Sequence, residues 1–200
     1  MIRFCSFLIF LLLVVTTVML VVTKNRITSD SQVLTEASEG EALVGGDFTL
    51  INQDNKQVND NDFRGKIMLV FFGFTSCPDI CPVTSTIFAK ALELLGDKAD
   101  SVAPIFISVD PEKDTPEVLK EYLGNFDKRI IGLTGTKEQV TKATSAYKAY
   151  FAKTKNSEGN ETVDHSGFIY IMDKNGKYVK HFPYDANAQD IAGAVSDLLK

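Results

Sequence analysis

The run IMLVFFGF, Ile67–Phe74, carries no polar side chain, the pattern of a strand buried on both faces. VAPIFISVD repeats it as a second buried strand, and RIIGLTG supplies a third. Between the first two, VTSTIFAKALELLG places Val83, Ile87 and Leu94 at helical spacing, with Gly96 as a stop. TPEVLKEYLGNF reads as a helix opened by Thr115 as N-cap and Pro116 at the first helical position. TKEQVTKATSAYKAY is expected to be helical after the third strand. GFIYIMD and KYVKHF flank KNG, a hairpin signal, and NAQDIAGAVSDLLK closes the chain as an amphipathic helix. Ahead of all these, VGGDFTLINQDNKQVNDNDFRGK offers two short strands around a QDNKQ turn.

Strands alternating with helices, then a hairpin and a last helix, predict an α/β domain with a central mixed sheet in the order of a thioredoxin-like fold. This domain is expected over residues 43–200. Residues 24–42, KNRITSDSQVLTEASEGEA, are polar and without periodicity, and read as a tether.

Residues 1–23 break the soluble pattern. Phe4 to Val22 is an uncharged stretch of 19 residues, and at about 1.5 Å per residue a helix of that length nearly spans a hydrocarbon core of about 30 Å. A secretory signal normally has an apolar region of only about 7–15 residues, and no A-x-A-like site follows at Thr23–Arg26. A retained single-pass anchor is the expectation, with a cleaved or lipid-modified form as the rival. Arg3 stands on one side and Lys24 and Arg26 on the other, so charge alone does not orient it.

Composition adds little beyond this. The 200 residues are 44% hydrophobic and 24% charged, as in a globular protein, with a net charge of −5. No basic patch or Lys/Arg run supports nucleic-acid binding.

The chemistry concentrates in GFTSCPDICP, residues 73–82, where Cys77 and Cys81 stand three residues apart and each precedes a proline. The loop lies between the first buried strand and its helix, at the sheet edge where ligands gather in α/β domains. Pro82 disfavours helical backbone at Cys81, which is therefore expected at or just before a helix start, where N–H groups favour a thiolate. Pro78 holds Cys77 off the helix, and a bent loop converges the sulfurs. Deprotonated, they form a soft bidentate site; oxidised, they form a disulfide. A merely stabilising disulfide is the bland reading, but so short a loop closure contributes little. The remaining cysteine, Cys5, lies in the apolar run.

Two histidines are available as a third ligand. His181 sits in KYVKHFPY and is expected to cover the sheet surface, whereas His165, in VDHSG, is expected in a loop before the terminal hairpin. Asp79 and Asp164 are candidates to orient ligands, with plain turn solvation as the alternative. Asp110, ending its strand, is a candidate for partner contact or for capping a turn.

GFTSCPDICP, SVDPEKDTP and VDHSG, in this order, resemble the Sco/SenC family of membrane-anchored copper chaperones, over essentially the whole soluble domain. The resemblance implies a thioredoxin-like fold that binds copper through Cys77, Cys81 and His165. It also implies a role in building the binuclear copper centre of cytochrome c oxidase subunit II, with a separate copper donor protein upstream. Two thiolates and an imidazole suit Cu(I), tolerate Cu(II) with a further weak ligand, and would also accept zinc with a water. No general base accompanies the motif, so a hydrolase is not expected and a non-enzymatic binding module is. The alternative is a thiol–disulfide oxidoreductase acting on partner cysteines, although C-x-x-x-C departs from C-x-x-C and such chemistry does not require His165. A peroxiredoxin-like peroxidase is weaker still, lacking Thr-x-x-Cys before Cys77. Anchor and resemblance together place the domain on an inner membrane, facing the periplasm or a mitochondrial intermembrane space.

Overall fold

Ile67–Gly73, the expected first buried strand, lies in the interior of a seven-stranded mixed sheet, and all seven of its residues are buried. A computed structural model describes residue 19 and residues 44–155, 161–165 and 167–200, giving backbone alone for 152–155 and 161–165. The chain divides into two units, Met1–Glu41 and Ala42–Lys200. In the first, only Met19 is described; it is helical and exposed. The expected anchor otherwise lies outside the described residues, and among those described no helix is long and apolar enough to cross a membrane.

In the second unit the elements run β1 (Thr49–Asn52), β2 (Gln57–Asn59), β3 (Ile67–Gly73), α1 (Ile80–Leu95) and β4 (Val102–Ser108). There follow α2 (Pro116–Gly124), β5 (Ile131–Thr134), α3 (Lys137–Ala146), β6 (Phe151–Lys155) and β7 (Glu161–His165). β8 (Phe168–Met172), β9 (Tyr178–Pro183) and α4 (Ala188–Leu198) complete the chain. The sheet order is β2-β1-β5-β4-β3-β8-β9, with β3/β4 and β4/β5 parallel and the other pairs antiparallel. This is the mixed sheet of a thioredoxin-like fold, as expected from the alternation of apolar runs.

Successive residues of β3 feed different layers, as the two-residue period of a strand requires. Phe71 meets Phe106 of β4, whose ring in turn meets Tyr122 of α2. Phe72 instead meets Tyr147, just after α3, and Tyr170 of β8. α1 packs along α4, α2 on β5 and α3 on β1.

Three local expectations are corrected. α1 does not bury the stripe marked by Val83, Ile87 and Leu94: Val83 is 39% and Leu94 45% exposed. Its buried face is Cys81, Thr84, Ser85, Phe88, Ala91, Leu92 and Leu95, rich in small side chains. The third helix stops at Ala146, and Lys148 then takes a left-handed backbone (φ +54°). The chain beyond forms not a loop but the hairpin β6–β7, a separate two-stranded sheet in which Phe151 pairs with His165. Its sequences, FAKTK and ETVDH, are too polar to announce strands.

Candidate metal centre

Cys77 and Cys81 converge where β3 gives way to α1. Cys81 is helical, at the second position of α1 and followed by Pro82, so the preference against helix before a proline is overridden here. Pro82 is tolerated because first-turn N–H groups have no partner within the helix. Asp79 is the N-cap, but its side chain makes no capping hydrogen bond and is exposed.

Cys81 is fully buried and Cys77 half-buried, and both are thiols. A methyl group on Gly73 would lie 2.7 Å from the Cys81 Sγ, 2.8 Å from Phe71 Cε1 and 2.9 Å from Phe106 Cζ. Only glycine lets the sulfur approach the strand so closely. The Phe74 N–H donates to the Cys81 Sγ at 3.4 Å. Cys77 is tied back through its own N–H, which donates to the Phe74 carbonyl at 3.2 Å.

The helix start is expected to favour a Cys81 thiolate. Instead, the hydrogen bond with the adjacent Cys77 sulfur and then burial push the Cys81 thiol well above its ordinary value of 9.0, the Phe74 N–H opposing them. Two touching sulfurs hold one negative charge more readily than two. A cation between them would reverse this balance.

Beneath the loop lies Asp114, part of the SVDPEKDTP segment but not a candidate from sequence alone. Its side chain is fully buried. It accepts from the Thr75 N–H at 3.0 Å, the Thr75 hydroxyl at 2.6 Å and the Ser108 hydroxyl at 2.6 Å. The turn after β4 is thereby bonded to the residue two positions before Cys77. Asp110 is 3% exposed, and its carbonyl accepts from the Lys113 and Asp114 N–H groups. This burial removes it as a surface contact; its carbonyl closes the turn, while its carboxylate lies 3.6 Å from the Lys113 ammonium. The signal available was two aspartates bracketing a turn; their burial left no mark in the pattern.

His165 ends β7, not a loop, and its side chain and that of Asp164 lie outside the described residues. Contacts of its neighbours link the hairpin to the elements that flank the cysteine loop. Gly167 packs against Tyr184, its absent Cβ leaving room for a ring atom 2.8 Å away. The Tyr184 carbonyl accepts from the Thr84 hydroxyl of α1 at 3.2 Å. On the other side, Phe151, the register partner of His165, lines a cavity of about 120 Å³ together with Val109. The Val109 N–H donates to the Gly73 carbonyl at 2.8 Å. Among the described residues, no group of three metal-ligating side chains assembles.

His181 is elsewhere, on β9 at the sheet edge. Its Nδ1 is 2.6 Å from the Tyr178 hydroxyl, and its ring centroid is 4.8 Å from that of Phe168. It is a surface packing residue, as expected.

A thioredoxin-like sheet presenting a paired dithiol at the start of a helix has the chemistry to hold a soft metal or to form a disulfide. Residues 36–200 match the SCO1/SenC family, and the chain is a member of that family. It is 43% identical over 155 residues to an SCO2-like protein of Rickettsia prowazekii, covering 76% of each chain. Among solved structures it resembles Bradyrhizobium japonicum ScoI with copper bound, at 39% identity and a TM-score of 0.72, covering 78% of this chain and 99% of that one. It also resembles BsSco, described as having a disulfide switch and as a member of the Sco family of cytochrome c oxidase assembly proteins. That match has 28% identity and a TM-score of 0.62, over 78% of this chain and 92% of that one.

Proposed function

We propose that the protein is a copper chaperone, a binding and transfer module rather than an enzyme, that holds copper through Cys77, Cys81 and His165. The observation that carries this reading is the pair of interacting thiols, one fully buried and one half-buried, in a relative of copper-bound ScoI. In this reading Phe4–Val22 anchors the chain in an inner membrane and residues 24–42 tether the domain. The domain faces the periplasm, or the intermembrane space of a mitochondrion. Copper arrives from a donor protein and leaves for the binuclear copper centre of cytochrome c oxidase subunit II.

The unequal burial of the sulfurs assigns them different work. Cys77 faces solvent enough to meet an incoming donor, while Cys81 is walled in by Phe71, Phe106 and the Phe74 N–H. Copper replaces the proton that Cys81 retains in the dithiol, so loading releases protons and strengthens as pH rises. His165 completes a soft ligand set of two sulfurs and one nitrogen from a second element.

The same sulfurs support a second reading, a thiol–disulfide oxidoreductase, favoured by the direct Cys77–Cys81 interaction and by the switch described for BsSco. One experiment separates the two. Full-length Cys77→Ser, Cys81→Ser and His165→Ala variants are assayed for bound copper, and each is supplied as sole copy to cells whose cytochrome oxidase activity is measured. The chaperone reading expects about one copper per chain in the parent, loss in both cysteine variants, and loss of tight binding and oxidase activity in His165→Ala. Normal copper affinity and oxidase activity in His165→Ala, with failure confined to the cysteine variants, establishes the oxidoreductase instead.

A further inference from the structure

Among the described residues three aspartates are buried. Asp60 pairs with Arg64 at 2.7 Å, and Asp110 has the Lys113 ammonium at 3.6 Å. Asp114 is 0% exposed, yet among the described residues no lysine or arginine pairs with it. Its partners are all donors. The Thr75 N–H can only donate, and the Ser108 hydroxyl accepts from the Asp110 N–H at 3.1 Å, which leaves its own hydrogen for Asp114. With the Thr75 hydroxyl, these are the surroundings of a carboxylate and not of a carboxylic acid. Burying a charge without an opposite one is costly, and this charge lies under the cysteine loop.

Consecutive backbone N–H groups connect the carboxylate to the Cys81 sulfur. The Phe74 N–H donates to the Sγ at 3.4 Å, and the Thr75 N–H donates to the Asp114 Oδ2 at 3.0 Å. Neighbouring amide nitrogens stand less than about 4 Å apart, so the carboxylate lies within about 10 Å of that sulfur. The peptide group that gives the Thr75 N–H also faces Cys77, because its carbonyl, that of Phe74, accepts from the Cys77 N–H at 3.2 Å. An acceptor at one end of a peptide group polarises the bond at the other end.

We propose that Asp114 is a positioning residue that acts through the 74–75 peptide as a fixed negative charge beneath bound copper, and favours the divalent ion over the monovalent one. This rests on the copper reading above. Both ions bind the same deprotonated sulfurs, so the cost of deprotonation cancels when the two affinities are compared. What remains is the extra charge of Cu(II), which a carboxylate at that distance stabilises about tenfold at the effective dielectric constant of a protein. A residue that only held the loop in place would change both affinities alike.

The test uses the full-length chain in detergent with Asp114→Asn and Thr75→Val. Asparagine keeps the network: its oxygen accepts from the Thr75 N–H and the Ser108 hydroxyl, and its amide donates to a Thr75 hydroxyl turned to accept. Thr75→Val removes one bond to the loop and leaves the charge in place. Thermal melts of the metal-free proteins report folding, and Cu(I) and Cu(II) affinities are measured separately by competition with chelators. Asp114→Asn is expected to lose about tenfold more affinity for Cu(II) than for Cu(I), whereas Thr75→Val weakens both by the same factor. Asp114→Thr, smaller and also uncharged, is the second neutral variant should the first not fold. A folded neutral variant with the parental ratio of Cu(II) to Cu(I) affinity overturns the proposal and leaves the copper reading intact. So does a Thr75→Val protein that moves the ratio as far as the neutral variant does. A parent chain that binds no copper, or a Cys81→Ser variant that binds it unchanged, overturns the copper reading and this proposal with it.

Discussion

The cysteine loop and the hairpin that carries His165 are built in opposite ways. The loop is bonded into the core: Asp114 takes three hydrogen bonds beneath it, Gly73 admits the Cys81 sulfur, and aromatic rings close around it. The β6–β7 hairpin forms a two-stranded sheet of its own, outside the main one, and the chain just after it packs through Gly167 on Tyr184, whose carbonyl accepts from Thr84 of α1. A two-stranded hairpin is only marginally stable alone. In the proposed site, the sulfur half is thus a property of the fold, and the imidazole half would be an addition to it. A site divided in this way lets one half be damaged without the other, which is what the following variants exploit.

The largest effect is expected from Asp114→Ala. It leaves the Thr75 N–H and two hydroxyls without their acceptor, at a cost of about 3–5 kcal/mol in unfolding free energy. Denaturant unfolding should show this loss, and copper affinity should fall with it. Unchanged stability would mean that the loop is held by something other than the core.

Gly73→Ala comes next. Its methyl group meets the Cys81 Sγ, Phe71 and Phe106 at under 3 Å, and such overpacking costs about 1–3 kcal/mol. Displacement of the sulfur should weaken copper binding beyond what the unfolding curve alone suggests. Parental copper affinity in the folded variant would show that the close approach is not needed.

The smallest effect belongs to His181→Gln. The contact to Tyr178 and the packing on Phe168 are worth about 1 kcal/mol together, and copper content should not change. Loss of copper from a folded His181→Gln protein would move the imidazole ligand from the hairpin to the sheet edge.

Much of this was legible in the chain. β3, β4 and β5 are continuous apolar runs, and buried parallel strands must be so. Thr115 and Pro116 marked the start of α2, where the Thr115 hydroxyl accepts from the Val118 N–H. The C-x-x-x-C loop fell at the expected junction. What escaped were features in which chemistry hides from hydropathy. On α1 the exposed aliphatics Val83 and Leu94 misled, because the buried face is made partly of Ala, Thr and Ser, which allow close approach. The β6–β7 hairpin escaped because its ladder is a backbone property, carried by residues with no apolar alternation. Asp114 escaped because a charged residue in a polar turn reads as solvated, and only the fold reveals the hydroxyls around it.

The strand order has a consequence for life at high local density. An exposed sheet edge is a template on which another chain can add a strand, and chains crowded onto one surface meet edge to edge often. The outermost strands here are poor templates. β2 has only three residues. β9 carries Lys180, whose ammonium lies 5.4 Å from the Phe182 ring centroid, and ends at Pro183, which has no N–H to offer. A register irregularity at Ile171/Met172 further interrupts the ladder that β9 continues. The margins of the seven-stranded sheet therefore offer little on which a copy of the chain could add a strand.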